Sequence, residues 1–416
     1  MRKSLSRRRP GEYYSNWRNT VLATNLLAIS VFPAVVSADV TGEASARVQY
    51  ESNSNVLNRQ DTSFGPGTDN LRRSDTYISE GATFGLHDFV GRQDLFLTAS
   101  VTKFQYDHLT ELDNTGYTFD GGMNWELNRI LNGNIEVGRT RAMTPFLDTS
   151  SSTLSQTTDQ RESAGARLKI ASNWRLDGTG STHTSEQSQA VGPETRLSEQ
   201  SGTVALNYLG FGNFTSGVDA GYLSGKYTGG GPTNLQPSYH QITFDLLGAY
   251  KASGRSSFTG SVGYSTRESA SGANSTSGTT GDISFLDQLT PKTSFSVDVR
   301  RAINSYLTNA GSEIDTSAAV GATWLATFKL DVHLGYTYMY REFPNQTPAG
   351  YPVGTKLEEA QQAVTLDLNY HPTRWLDIRV YGNVLTRDAN AAEDKFNATI
   401  YGISFVVRTP KPPGRK

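Results

Sequence analysis

The residues best able to do chemistry in this 416-residue chain are six histidines and a scatter of carboxylates. His87, His108, His183, His240, His333 and His371 stand far apart, without the short spacing that lets two imidazoles share a metal, and no serine sits in a strand-to-helix elbow. Asp367 and Asp377 are of the right type for a hydrolytic acid pair, but each lies in an alternating segment that assigns it to a polar strand face as plain wall charge. Gly229-Gly230-Gly231 reads as a loop tip, because no helix follows to offer the amides that cradle a phosphate. The residues therefore predict no enzyme, no cofactor and no metal site.

What the polar residues share is phase. From Phe328 to Arg341, the even positions hold Phe328, Leu330, Val332, Leu334, Tyr336, Tyr338 and Tyr340. Lys329, Asp331, His333, Gly335, Thr337 and Arg341 fall on the odd ones. A period of two is a β-strand with one apolar and one polar face, and this one is long enough to cross a bilayer at a tilt, which takes about 9–11 residues. The same phase recurs in Val364, Leu366 and Leu368 against Thr365, Asp367 and Asn369. It recurs again in Leu376, Ile378 and Val380 against Asp377, Arg379, Tyr381 and Asn383.

Eighteen such segments can be read along the chain, the first at Thr41 to Asn53 and the last at Lys395 to Arg408. Short connections such as Phe89-Val90-Gly91, Ser172-Asn173, Ala326-Thr327 and His371-Pro372-Thr373 alternate with long polar ones such as Ser54 to Ser74, Thr144 to Asp159 and Phe343 to Lys356. That alternation is the pattern of outer-membrane barrels, with short turns periplasmic and long loops outside. The predicted fold is thus all-β, a transmembrane antiparallel barrel of about 18 strands over residues 39–409.

Trp125, Trp174, Trp324 and Trp375 lie beside short turns with Phe214, Phe258, Phe285, Phe295, Phe328 and Tyr370, as one aromatic girdle would. Tyr106, Tyr117, Tyr222, Tyr239 and Tyr338 are expected to form the second girdle, near the long loops. One segment resists this reading. In Gln93 to Asp107, Phe96, Phe104 and Tyr106 share one phase and Lys103, Gln105 and Asp107 the other, which predicts a bulge near Val101.

A charged side chain at the bilayer midplane costs roughly 2–4 kcal/mol, so the polar face must point inward. An 18-stranded barrel leaves a water-filled lumen. Asp120, Asn124, Asp245, Asp298, Arg300, Asp331, Asp367, Asn369, Asp377 and Arg379 are the predicted pore-lining residues, with Thr118, Thr259 and Ser261 among them. Hydroxyls, amides and both charge signs suit a hydrated solute that exchanges hydrogen bonds along the wall.

Residues 1–38 begin with Arg2, Lys3, Arg7, Arg8, Arg9 and Arg18, continue through an uncharged run, and close on Val36-Ser37-Ala38. This is the form of a signal peptide cleaved near Ala38, with the cell outer membrane of a Gram-negative bacterium as destination. Of 38 basic and 40 acidic residues, 32 and 39 then remain, a net charge of about −7 that argues against nucleic acid as a partner. The chain has no cysteine, so no disulfide framework holds it. Mean hydropathy is −0.46, as expected when half of every strand faces water. The last strand, with Tyr401-Gly402-Ile403-Ser404-Phe405, is similar to a C-terminal assembly signal but ends on Val407 rather than an aromatic. A Pro-rich basic tail, 410–416, follows and is expected to be extended in the periplasm.

Several stretches carry a family resemblance. They are Tyr50-Glu51-Ser52-Asn53-Ser54-Asn55-Val56, Ser74-Asp75, Gly91-Arg92-Gln93, Phe104-Gln105-Tyr106, Asn114-Thr115-Gly116-Tyr117 and Trp125-Glu126-Leu127. In these the chain resembles the EpsL-type outer-membrane barrels of exopolysaccharide operons, within the β-barrel porin 2 class, most clearly over residues 40–140. The resemblance implies export of an exopolysaccharide chain, with outer-membrane lipid around the barrel and periplasmic polysaccharide-export and co-polymerase proteins as partners. The competing expectation is a passive diffusion porin for small hydrophilic solutes. Against it, the third long loop, Thr144 to Asp159, carries only the acids Asp148 and Asp159 and no base, where a general porin uses that loop to narrow its lumen.

Overall fold

A computed structural model of the chain describes residues 40–58, 73–146, 154–189, 194–210, 212–229, 238–270, 275–306, 311–344, 352, 355–391 and 395–409. The expected signal segment, residues 1–38, and the tail, 410–416, lie outside these. Eighteen strands follow one another: β1 Val40–Asn53, β2 Asp75–Val90, β3 Gln93–Tyr106, β4 Asn114–Glu126, β5 Leu131–Met143, β6 Ser155–Ala171, β7 Trp174–Gln189, β8 Thr195–Leu209 and β9 Phe214–Gly229. The second half holds β10 Ser238–Lys251, β11 Ser256–Ser269, β12 Thr276–Thr290, β13 Thr293–Tyr306, β14 Gly311–Thr327, β15 Leu330–Phe343, β16 Leu357–Tyr370, β17 Leu376–Ala389 and β18 Phe396–Arg408.

Each strand pairs antiparallel with the next, and β1 pairs with β18 from Ser45 opposite Arg408 to Asn53 opposite Ile400, so the sheet closes on itself. Closure satisfies the backbone hydrogen bonds without help from water, which is what a sheet inside hydrocarbon requires. The turns are as short as the sequence predicts. Gly91, with φ of 65°, makes the reversal between β2 and β3 with Arg92, a backbone state a β-carbon would strain.

Side chains directly opposite each other across a ladder share a face, so the register assigns inside and outside. Along β10, exposed Ile242, Phe244, Leu246 and Tyr250 alternate with half-buried Gln241, Thr243, Asp245 and Leu247. Phe244, Leu246 and, on β11, Val262 remain 61%, 62% and 61% exposed. In water each would forgo about 1.5–3 kcal/mol of burial, which hydrocarbon around the belt supplies. The outer surface is therefore that of a membrane-spanning barrel.

Four expectations are corrected. The pairing of β3 with β2 and β4 runs without a register shift, so there is no bulge near Val101. Instead Phe104 and Tyr106 point inward and pack against Tyr77, while Lys103, opposite Glu80, faces out. Tyr106 and Tyr239 likewise leave the second girdle: both are buried, on the lumen side. Phe328 and Lys329 form the turn before β15, so the strand starts at Leu330 and runs on to Phe343, and Asp159 sits within β6 rather than in the loop before it.

Candidate pore lumen

The lumen wall is built in lateral rows, one inward residue per strand. One row runs Asp120, Gly138, Arg161, His183, Glu199, Gly225, Tyr239. The next toward the short turns runs Gly122, Glu136, Ser163, Ser181, Ser201, Leu223, Gln241. Ser181 Oγ and Ser201 Oγ are 2.7 Å apart, continuing the hydroxyl track from strand to strand. The glycines shape the wall: a Cβ on Gly138 would lie 2.8 Å from Asp120 Oδ1, and one on Gly225 would overlap the Tyr239 ring. Without them, Asp120 and Tyr239 would stand up into the channel instead of lying along it.

All ten predicted lining residues fall on the side opposite the apolar belt, in three groups. At the short-turn end, His371 Nδ1 is 2.5 Å from Asp377 Oδ1 and its Nε2 is 3.0 Å from Asp331 Oδ2. Asn369 donates to Asp331 at 2.8 Å, Arg408 pairs with Asp377, and Arg379 Nε donates to Asp367 at 2.7 Å. Three of the predicted residues, Asp331, Asn369 and Asp377, thus join one network through His371, a residue the sequence left unassigned, and Asp367 and Arg379 form a separate pair. A second group lies on β10 to β13. Asp245 stands opposite Asp219, Asp298 accepts from Ser284 at 2.6 Å, and Arg300 is the cross-strand partner of Asp282. Asp120 and Asn124 on β4 form the third, with Asn124 donating to Asp94 at 3.4 Å.

The long-loop mouth holds what the sequence did not foresee. Val56 and Leu57 from the first long loop, Leu109 and Leu112 from the next, and Phe146 from the third bury one another beside Tyr106. Asp75 clasps this cluster, accepting from the amides of Leu109 at 2.7 Å and His108 at 3.0 Å. Burial opposes ionisation of Asp75, but those amides, the His108 ring and the Thr76 amide more than reverse it and hold the carboxyl below its usual range.

On the far side, the hairpin ends of β13 and β14 reach across the lumen. Ser305 donates to Glu199 at 2.6 Å, and Tyr227 donates to the Gly311 carbonyl at 2.9 Å. Arg267 lies 3.5 Å over the Tyr239 ring and donates to Ser305 at 2.8 Å. A third cluster is ionic: Arg341 sits 3.6 Å from Glu313 and 3.4 Å from Glu359, which also pairs with Arg387, all four buried. The sequence signal for these residues is an aromatic or large apolar side chain on the polar phase, as with Tyr77, Phe104, Tyr227, Tyr239 and Phe343.

Among the described residues, no three His, Cys, Asp or Glu side chains converge as metal ligands. A closed barrel with an apolar belt, a polar lumen and loops gathered at one mouth is the architecture of an outer-membrane channel.

No family model matches the chain, and neither does any curated protein. Among solved structures it is similar to the ferric enterobactin receptor PfeA of Pseudomonas aeruginosa, at 9% identity and a TM-score of 0.47, over 88% of this chain and 81% of that one. The FrpB iron transporter of Neisseria meningitidis follows at 11% and 0.49, over 86% of this chain and 63% of that one. The siderophore receptor PirA of Acinetobacter baumannii stands at 7% and 0.44, over 90% and 81%. Likenesses this distant carry no inference about what the present chain transports.

Proposed function

We propose that the chain is an outer-membrane conduit through which a secreted polysaccharide leaves the cell, delivered by periplasmic and inner-membrane export proteins. The observation that carries this reading is the wall itself: rows of serine, threonine, amide and carboxylate groups lie flat over glycine notches. A polyhydroxylated chain sliding past such a wall trades one hydrogen bond for the next without meeting a deep trap, and the net worth of each, about 0.5–1.5 kcal/mol, is small enough to release. The resemblance of residues 40–140 to the EpsL-type barrels supports the same cargo.

A diffusion porin narrows its lumen with a charged loop, whereas here the third long loop sends Phe146 into an apolar cluster at the rim. Deleting the gene is expected to abolish surface polysaccharide while leaving small-solute uptake unchanged. Unchanged surface polymer together with slowed uptake of small sugars would overturn the reading in favour of the porin.

A further inference from the structure

We infer that the lumen wall between β3 and β9 holds a subsite for an amino-sugar unit with a free ammonium group; this rests on the conduit reading and narrows its cargo. A cavity of about 640 Å³ opens here, lined by Phe96, Asp120, Glu136, Asp159, Arg161 and His183 among others. That volume lies in the range of small-ligand sites. Its floor is the serine track Ser163, Ser181 and Ser201, which presents hydroxyls to hydroxyls. The half-buried Phe96 faces the lumen on one side, an apolar surface for the C–H face of a pyranose ring.

The charges then choose among sugars. His183 is held between Asp159, 3.2 Å from Nε2, and Glu199, 3.0 Å from Nδ1. Both ring nitrogens face carboxylate oxygens, so an imidazolium satisfies them and offsets one of the two negative charges. Glu199 is further occupied by Tyr239 and Ser305. Asp120 and Glu136 remain, with Arg161 in the same row as Asp120. Because Gly138 has no side chain, the Asp120 carboxyl leans over β5, on the same face and two residues along from Glu136. Asn134 donates to Glu136 at 3.0 Å and adds no charge.

Four inward carboxylates, those of Asp120, Glu136, Asp159 and Glu199, against one guanidinium and one imidazolium leave the cavity negative. Glu162 also borders it but lies on the outer strand face opposite Val137, and among the described residues no three His or acid side chains come together to suit a metal ion. An ammonium brings one positive charge and three donors, and it comes attached to a ring whose hydroxyls and apolar face match the serines and Phe96. A carboxylated or sulfated glycan is repelled by the same groups.

The test is calorimetric titration of the purified full chain, refolded in detergent, with tetramers of glucosamine and of N-acetylglucosamine, which differ only in the ammonium. The deacetylated tetramer is expected to bind at least about ten-fold more tightly, a difference of about 1.4 kcal/mol. The double variant D120N/E136Q is expected to lose that preference, with the heat-dependent gel shift of a folded barrel verifying its fold. Equal binding of the two tetramers, no binding of either, or a preference that survives the variant would overturn the subsite. A null result here together with loss of surface polymer on gene deletion would sink the subsite alone; intact polymer would sink the conduit.

Discussion

Glu359 sits between two buried guanidiniums, those of Arg341 and Arg387, and shows how much single residues matter at the mouth. Removing it leaves positive charges in a dry place with part of their compensation gone, and breaking a buried pair in this way costs about 3–5 kcal/mol. Glu359→Ala is therefore expected to lower the midpoint of urea unfolding in lipid vesicles markedly. A midpoint unchanged from the parent would show that the cluster contributes nothing. At this scale the sequence was legible only in part. Asp120, Asp245 and Asp367 announce their face because their neighbours alternate cleanly. Tyr227, Tyr239 and Phe104 do not, because an aromatic on the polar phase looks like a misplaced lipid-facing residue until the loops that bury it are known. The expected bulge near Val101 was that error: the strand is regular, and its aromatics face the lumen, with Phe104 and Tyr106 packed at the mouth.

A strand is a two-faced element, and β15 makes the consequence testable. Leu334 lies on the exposed apolar face near the middle of the strand, while Thr365 on β16 faces the lumen opposite Gly335. Leu334→Arg is expected to cost roughly 2–4 kcal/mol and Thr365→Arg little, since only the first places a guanidinium in hydrocarbon. Equal losses in folding yield into vesicles would contradict the assigned faces. Strand positions were the most legible part of the chain, because little besides a two-faced strand sustains a period of two over a dozen residues; β16 falls at Leu357–Tyr370, as its alternation predicts. Strand ends were less so. Phe328 continues the apolar phase yet lies in the turn, where chain reversal rather than hydropathy decides its place.

At the scale of the whole molecule, closure follows from an even count of strands with short and long connections in alternation, and both features were readable. How far the loops fold inward was not, since contacts such as Ser305 with Glu199 join residues more than a hundred positions apart across the lumen. The absence of cysteine offers a direct measurement of the central claim, that the polar face lines a water-filled passage and the apolar face meets lipid. Single cysteines placed at Ile242, Thr243, Phe244, Asp245, Leu246 and Leu247 of β10, in chain refolded into vesicles, would be treated with a charged maleimide. Labelling at positions 243, 245 and 247 but not at 242, 244 and 246 is the predicted result. The reverse pattern, or equal labelling of both sets, would contradict it.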